Sequence, residues 1–139
     1  MTRWAVAAAL GAWVVAVSGA TPATADWPHW RGPNMDGTTA DDSAPIRWSA
    51  SENVRWKLEL PEVSGSTPIV SGGRVFLNVA DGSSLSLWAV DRRAGTVLWR
   101  RPLGDGNERK RKGNLSAPSP ATDGETVWTQ TGTGTLAAF

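Results

Sequence analysis

Residues Ala89 to Trp99 read Ala-Val-Asp-Arg-Arg-Ala-Gly-Thr-Val-Leu-Trp, and this segment has the most specific spacing in the chain. Asp91 can accept hydrogen bonds from the backbone N–H groups of the residues that follow it in a turn. Gly95 can take a backbone conformation that is costly for other residues, and Trp99 projects from the strand beyond the turn. The segment therefore predicts a tight turn between two strands, with a large indole on the second strand.

The sequence around this segment has the period of strands. Val54, Trp56, Leu58 and Leu60 alternate with charged residues, which predicts a half-buried strand over Asn53–Leu60. Four more short strands are predicted, with glycine-containing turns between them: Pro68–Ser71, Arg74–Ala80, Ser84–Asp91 and Thr96–Pro102. In sequence order these four form an antiparallel meander of the size of one propeller blade.

The pattern restarts after about fifty residues. Residues 68–76 align with residues 120–128 at an offset of 52, with Phe76 matched by Trp128. Residues 87–90 align with residues 136–139 at an offset of 49, so the second copy has a connecting hairpin three residues shorter. A period near fifty is typical of repeat architectures. The alternative is chance similarity among strands rich in glycine and valine.

The spacing of Ala89, Asp91, Gly95 and Trp99 resembles the tryptophan-docking motif of the pyrroloquinoline-quinone dehydrogenase-like β-propellers. Those proteins have threonine where this chain has Ala94. The resemblance implies an all-β fold, a partial β-propeller made of four-stranded antiparallel blades. It also implies that the four residues are structural docking residues, with the indole of Trp99 packed between neighbouring blades.

The segment 26–37 reads Asp-Trp-Pro-His-Trp-Arg-Gly-Pro-Asn-Met-Asp-Gly. It is similar to the opening of exported propellers that resemble the outer-membrane assembly factor BamB. Residues 116–124 and 132–139 are similar to the second blade of those proteins. The resemblance covers essentially the whole chain beyond Asp26, but the fold is shared by enzymes and scaffolds.

Residues 1–25 have the pattern of a secretory signal peptide. Arg3 is followed by an uncharged run from Trp4 to Val17, and small residues precede a predicted cleavage site between Ala25 and Asp26. A transmembrane anchor is the alternative, but fourteen residues span about 21 Å as a helix, less than a bilayer core of about 30 Å. We expect a periplasmic or secreted protein that does not span a membrane after cleavage.

The domain organisation follows from these segments. An N-terminal arm over residues 26–52 precedes β-propeller blades over residues 53–139: a closing strand, one full blade and part of a second. A closed propeller needs four to eight blades, so we expect a truncated piece of a longer protein, of about 400 residues at about fifty per blade. A stand-alone domain is the alternative. We expect residues 26–139 alone to be unstable, with Trp56 and its neighbours on a loose arm.

The composition excludes several classes of site. The absence of cysteine rules out a disulfide scaffold, a thiol nucleophile and an acylated cysteine, so no lipid anchor is expected. Fourteen Lys and Arg nearly balance thirteen Asp and Glu, which argues against nucleic acid as a partner. His29 is the only histidine, so no triad or multi-histidine metal site can form, and we assign no catalytic residue.

Four other features have ordinary structural explanations. Asp36, Asp41 and Asp42 could contact calcium, but their spacing favours a solvated turn, and we assign no metal ligand. The basic run Arg109–Lys112 predicts a solvated loop or, alternatively, a contact for an acidic partner or anionic surface. Gly132–Gly134 predicts a hairpin turn rather than a phosphate loop, and Asn114 is a glycosylation sequon by pattern only.

The sequence favours a non-enzymatic function: an exported β-propeller scaffold that offers its faces to protein or polymer partners. The alternative that the resemblance implies is a quinoprotein dehydrogenase, which would hold pyrroloquinoline quinone and calcium over its central channel and oxidise alcohols or sugars. We identify no cofactor-binding residue, so quinone and calcium are expected only in a longer protein. A third hypothesis is a polymer-binding module in which Trp27 and Trp30 are exposed stacking platforms.

Overall fold

The computed structural model describes residues 26–41 and 44–139, and the predicted signal peptide and Asp42 lie outside them. The described part of the chain forms seven strands and contains no helix. The strands are β1 (Ile69–Ser71), β2 (Arg74–Asp81), β3 (Ser84–Asp91), β4 (Val97–Asp105), β5 (Ala121–Thr122), β6 (Val127–Gln130) and β7 (Leu136–Ala138). They make one sheet in the order β1-β2-β3-β4 and a second in the order β5-β6-β7, all antiparallel. The fold is a partial β-propeller with two successive blades.

The first sheet confirms the predicted meander. Three of its strands match the prediction within one residue at each end, but β4 continues to Asp105 rather than ending at Pro102. Two register irregularities between β3 and β4, one of them between Leu85 and Ser86, let β4 stay paired beyond the proline. Pro102 is tolerated because β4 is the edge strand of its sheet.

The second sheet confirms the repeat. Ile69 pairs with Phe76 in the first sheet, and residues 121 and 128, each 52 positions later, pair in the second. Asn78 pairs with Leu87, and Gln130 pairs with Leu136. The second partner is therefore displaced by 49 positions, so the β6–β7 hairpin is three residues shorter than the β2–β3 hairpin, as the alignment predicted.

Alternation along the first sheet divides its apolar side chains between two faces. One face packs against the second blade through residues that include Ile69, Leu85 and Leu87, with Val127 of β6 on the other side. The opposite face carries Leu77, Val79, Trp88 and Val90, all buried. Burial of a large apolar side chain contributes about 1.5–3 kcal/mol, compared with about 1 kcal/mol for a hydrogen bond. The apolar contacts of the first of these faces therefore contribute to the cohesion between the blades.

A seam of hydrogen bonds joins the two blades, and it connects equivalent residues. Ser116 Oγ and Ser64 Oγ lie 2.7 Å apart, and the backbone N–H of Thr67 donates to Ser119 Oγ at 2.9 Å. Asn78 Nδ2 donates to the carbonyl oxygen of Gln130, also 52 positions away, at 2.9 Å. Each of these bonds joins a residue to its own counterpart one repeat later, so the seam fixes the register between the blades.

The predicted strand over Asn53–Leu60 is not formed within the described residues, and its role in closing a further blade stays a prediction. Residues 54–60 belong to no strand. From Arg55 to Leu60 the side chains alternate between exposed and half-buried as predicted, whereas Val54 is exposed. Trp56, Leu58 and Leu60 pack across the face formed by Leu77, Val79, Trp88 and Val90. None of the backbone groups of this segment joins a strand of the described residues, so its side-chain packing is what attaches it to the sheet.

The expectation of a loose N-terminal arm is wrong for the residues that contact the blades. Trp27 forms an isolated bridge with Val70, with N–O distances of 2.8 and 2.9 Å. The carbonyl oxygen of Pro28 accepts a hydrogen bond from the N–H of Thr122 at 2.9 Å. The arm therefore contacts β1 of the first blade and β5 of the second. Residues 26–41 and 44–139 contain no helix with the length and apolar character needed to cross a membrane.

Candidate functional site

The turn between β3 and β4 is organised by Asp91. Its Oδ1 accepts hydrogen bonds from the N–H groups of Arg93 at 2.8 Å and Ala94 at 2.6 Å. The N–H of Gly95 donates to the carbonyl oxygen of Asp91 at 2.9 Å, and Gly95 has a φ of +71°. Such a positive φ is costly for residues with a Cβ, so the backbone of this turn has the glycine that it requires.

A second indole, that of Trp56, lies on this turn. Trp56 Nε1 donates to the carbonyl oxygen of Arg92 at 2.9 Å. A Cβ added at Gly95 would lie 2.4 Å from Cδ2 of the Trp56 ring. Sequence reasoning placed Trp56 in a strand and missed this contact. One signal for this contact was available in the sequence: Trp56 lies near the middle of its segment, just as Trp99 lies near the middle of its strand.

Ala89 and Trp99 are directly opposite each other in the β3–β4 register. Ala89 is fully buried, and the Trp99 ring lies 5.8 Å from Phe76 and 6.4 Å from Phe139, measured between ring centroids. The four residues of the motif thus form two pairs. Ala89 and Trp99 face the second blade, whereas Asp91 and Gly95 form the turn on which Trp56 lies.

The Gly95→Ala variant of the full protein is expected to lose about 2–4 kcal/mol of unfolding free energy. The methyl group both strains a positive φ, at about 1–2 kcal/mol, and displaces the Trp56 indole. Gly82→Ala is the matched control, because Gly82 has a φ of +56° and no atom within 4 Å of an added Cβ. Urea denaturation measures both variants, and equal losses would contradict the contact between Trp56 and Gly95.

At the opposite end of β2 from this turn, a groove of about 530 Å³ lies beside the β2–β3 hairpin. We call it the rim groove. Its lining residues are Pro61, Glu62, Val63, Gly82, Asn107, Arg109, Lys110, Arg111, Gly113 and Asn114. It contains three of the four residues of the basic run, together with the segment that leads into the second blade.

Side-chain amides fix the floor of the rim groove. Asn107 Nδ2 donates to the carbonyl oxygen of Gly82 at 2.8 Å, and Asn107 Oδ1 accepts from the N–H of Leu115 at 3.1 Å. Asn114 Nδ2 donates to the carbonyl oxygen of Val63 at 2.9 Å and to Glu62 Oε2 at 3.3 Å. The sequon asparagine is therefore buried and engaged. These four contacts hold both ends of the loop that carries the basic run.

The basic run is solvated, as predicted. Arg109, Lys110, Arg111 and Lys112 are all exposed. Lys110 pairs with Glu108, and this hydrogen bond holds the pKa of the Glu108 carboxyl below its usual value. No other ion pair neutralises the run within the described residues. The loop therefore presents a positive field at the mouth of the groove.

The other candidates identified from the sequence have structural roles. Asp36 Oδ1 accepts hydrogen bonds from the N–H and hydroxyl groups of Thr38, both at 2.8 Å, and these bonds lower the pKa of Asp36. Gly134 N donates to the carbonyl oxygen of Thr131 at 3.1 Å, so residues 132–134 form the predicted hairpin turn. The side chain of His29 is half-buried. Asp41 has a partner of its own.

The prediction that Trp27 and Trp30 are both exposed stacking platforms is wrong. The ring of Trp27 is half-buried and packs so closely on Gly32 that an added Cβ would lie 2.7 Å from the ring. Trp30 alone of the two is exposed, with Arg31 5.8 Å from its ring centre. A single indole does not make the two-ring surface on which the polymer hypothesis depends.

The donor set of the described residues does not fit a calcium ion. No three His, Cys, Asp or Glu side chains gather in residues 26–41 and 44–139 in a way that could hold a metal. The described residues thus provide two features, a rim groove with a basic loop and a turn on which the Trp56 indole packs.

Comparison with known proteins agrees with the two-blade geometry. The sequence model of the family described as "Outer membrane protein assembly factor BamB" matches residues 3–139. No match was found among curated proteins or among solved structures. The family match covers nearly the whole chain. This chain belongs to the outer membrane protein assembly factor BamB family.

Proposed function

We propose that this protein is an exported, non-enzymatic β-propeller scaffold that binds an acidic protein surface at its rim groove. The single observation that carries the proposal is the basic loop Arg109–Lys112, fixed at both ends by Asn107 and Asn114. A flexible charged loop would lose conformational freedom on binding. Because this loop is already held on the blade, that loss is reduced.

Charge supports an acidic partner. The basic run has four consecutive cations, and Glu108 is the one acidic side chain that pairs with it among the described residues. Long-range attraction between complementary surfaces raises association rates and is weakened by salt. We therefore expect the association rate with the partner to fall as ionic strength rises.

A photo-crosslinking amino acid at position 111 of the full protein tests the proposal in intact cells. We expect a discrete crosslinked protein that disappears when Arg109 and Lys112 are both changed to glutamate. Arg74→Glu is the matched control, because Arg74 is exposed and begins β2 at the other end of the sheet. Loss of the crosslink in the control as well, or persistence in the double variant, would contradict a role for the rim groove.

The alternative function is a quinone-dependent dehydrogenase. Titration of the full protein with pyrroloquinoline quinone and calcium, followed by absorbance and by dye reduction with alcohols and sugars, separates the two. The scaffold proposal expects no saturable quinone binding and no substrate-dependent reduction. Saturable binding with turnover would establish the enzyme instead.

We also propose export to the periplasm, supported by the family to which the chain belongs and by the signal pattern of residues 1–25. The purified protein is expected to begin at Asp26, and mass spectrometry of its N-terminus measures this. In the structure Asp26 Oδ2 accepts hydrogen bonds from Ser71 Oγ at 3.4 Å and Gly72 N at 3.3 Å. An intact Met1 in a membrane fraction would contradict the proposed cleavage.

A further inference from the structure

A second cavity, at the opposite end of β2 from the rim groove, contains three arginines. It has a volume of about 560 Å³ and is lined by Arg55, Gly72, Gly73, Asp91, Arg92 and Arg93. The β1–β2 turn and the β3–β4 turn form its walls, and the N–H of Arg92 donates to the carbonyl oxygen of Gly73 at 3.0 Å. We call it the arginine cavity.

One guanidinium of this cavity lacks a partner. Nη1 of Arg92 is buried and makes no hydrogen bond. Buried polar atoms are nearly always hydrogen-bonded, and an unpaired buried donor on a charged group is costly. The Arg92 side chain has therefore already lost part of its hydration in the folded protein, without gaining a partner in exchange.

The positive charge of the cavity is only partly compensated. Asp91 is the one carboxylate among the lining residues, and its Oδ1 is occupied by the N–H groups of Arg93 and Ala94. None of the three guanidinium groups forms an ion pair with a described residue. A second carboxylate, that of Asp26, accepts a hydrogen bond from Gly72 N at 3.3 Å. Three arginines against these two carboxylates leave the cavity with a net positive charge.

We propose that the arginine cavity binds a phosphate-type oxyanion. Guanidinium groups bind such anions through paired, charge-assisted hydrogen bonds. The volume is in the range of sites for small ligands. An anion would also neutralise the desolvated charge of Arg92. The site is distinct from the rim groove, and this proposal does not depend on the scaffold function.

Binding of inorganic phosphate to the full protein, measured by calorimetry and by the thermal midpoint, tests the site. We expect phosphate to raise the midpoint of the wild type by mass action. Arg92→Met is expected to weaken the affinity about tenfold or more, as for the loss of a hydrogen bond to a charged group. Because Arg92 is partly buried, Arg93→Met, at an exposed position, is a second variant that should also weaken binding.

Arg111→Met is the matched control, because it removes the same charge from the rim groove. A second arm measures co-sedimentation with phosphatidylglycerol vesicles. The site is supported if Arg92→Met and Arg93→Met weaken binding and Arg111→Met does not. If phosphate binding is the measurement that responds, the ligand is free phosphate; if vesicle co-sedimentation responds, the ligand is a lipid headgroup. Equal weakening by Arg111→Met, or no response to Arg92 and Arg93 changes in either arm, would overturn the proposal.

Discussion

Replacing Trp99 by alanine is expected to lower the unfolding free energy of the full protein by about 3 kcal/mol, the lower end of the range for large aromatic truncations, because the indole is half-buried. The indole lies against Phe76 and Phe139 and packs on the apolar cluster between the blades. Its removal leaves a cavity at the place where the two sheets meet. Urea denaturation at equilibrium gives the change directly.

Leu98→Ala is the matched control for this truncation. Leu98 is the preceding residue of β4 and is 48% exposed, so its loss should cost less than about 1 kcal/mol. Trp99→Phe should fall between the two variants because a smaller ring retains part of the contact. A midpoint for Trp99→Ala within error of the wild type would show that the indole does not hold the blades together.

Replacing Asn78 by leucine is expected to cost about 3–5 kcal/mol, from three buried hydrogen bonds lost at about 1–1.5 kcal/mol each. Asn78 is 1% exposed, and its Nδ2 donates to the carbonyl oxygens of Pro118 at 2.8 Å and Gln130 at 2.9 Å. Its Oδ1 accepts from the Thr129 hydroxyl at 2.6 Å. Leucine keeps the branching at Cγ but replaces the amide with larger methyl groups, so the change removes the polar partners, and any overpacking adds to the loss.

Two further variants test which hydrogen bonds cause the loss of stability in Asn78→Leu. Thr129→Val removes only the hydroxyl donor and should cost about one third as much. Gln130→Leu is the control, because Gln130 takes part through its carbonyl oxygen while its side chain is exposed. The change is expected to stay within about 0.5 kcal/mol. If Gln130→Leu destabilises the protein as much as Asn78→Leu, the main-chain seam is not the cause.

The strands of the first blade could be predicted because each is a local pattern. Period-two alternation and glycine turns place β1 to β4 without information about distant contacts. The repeat alignment likewise anticipated β5 to β7, since it compares the chain with itself. These features need only neighbours in sequence, and the strand registers agree with them.

The misplaced features depend on contacts between distant residues. Apolar and charged residues alternate over Asn53–Leu60 as they do in a strand. The same alternation is compatible with backbone pairing to another strand and with side-chain packing on the face of a sheet. The contact between Trp56 and Gly95 and the amide contacts of Asn107 and Asn114 have no signature at short range. The unpaired guanidinium of Arg92 likewise follows from burial, which composition does not show.

The seam between the blades also bears on how such a chain can grow. Its hydrogen bonds join Ser64 to Ser116 and Asn78 to Gln130, each residue to its counterpart 52 positions later. A duplicated gene segment of that length would encode a unit already complementary to its parent, so no new interface would have to evolve. The β2–β3 and β6–β7 hairpins differ in length by three residues, whereas every hydrogen bond of the seam named here joins residues 52 positions apart. Unit number and loop length can therefore diverge independently in descendants of one ancestral repeat.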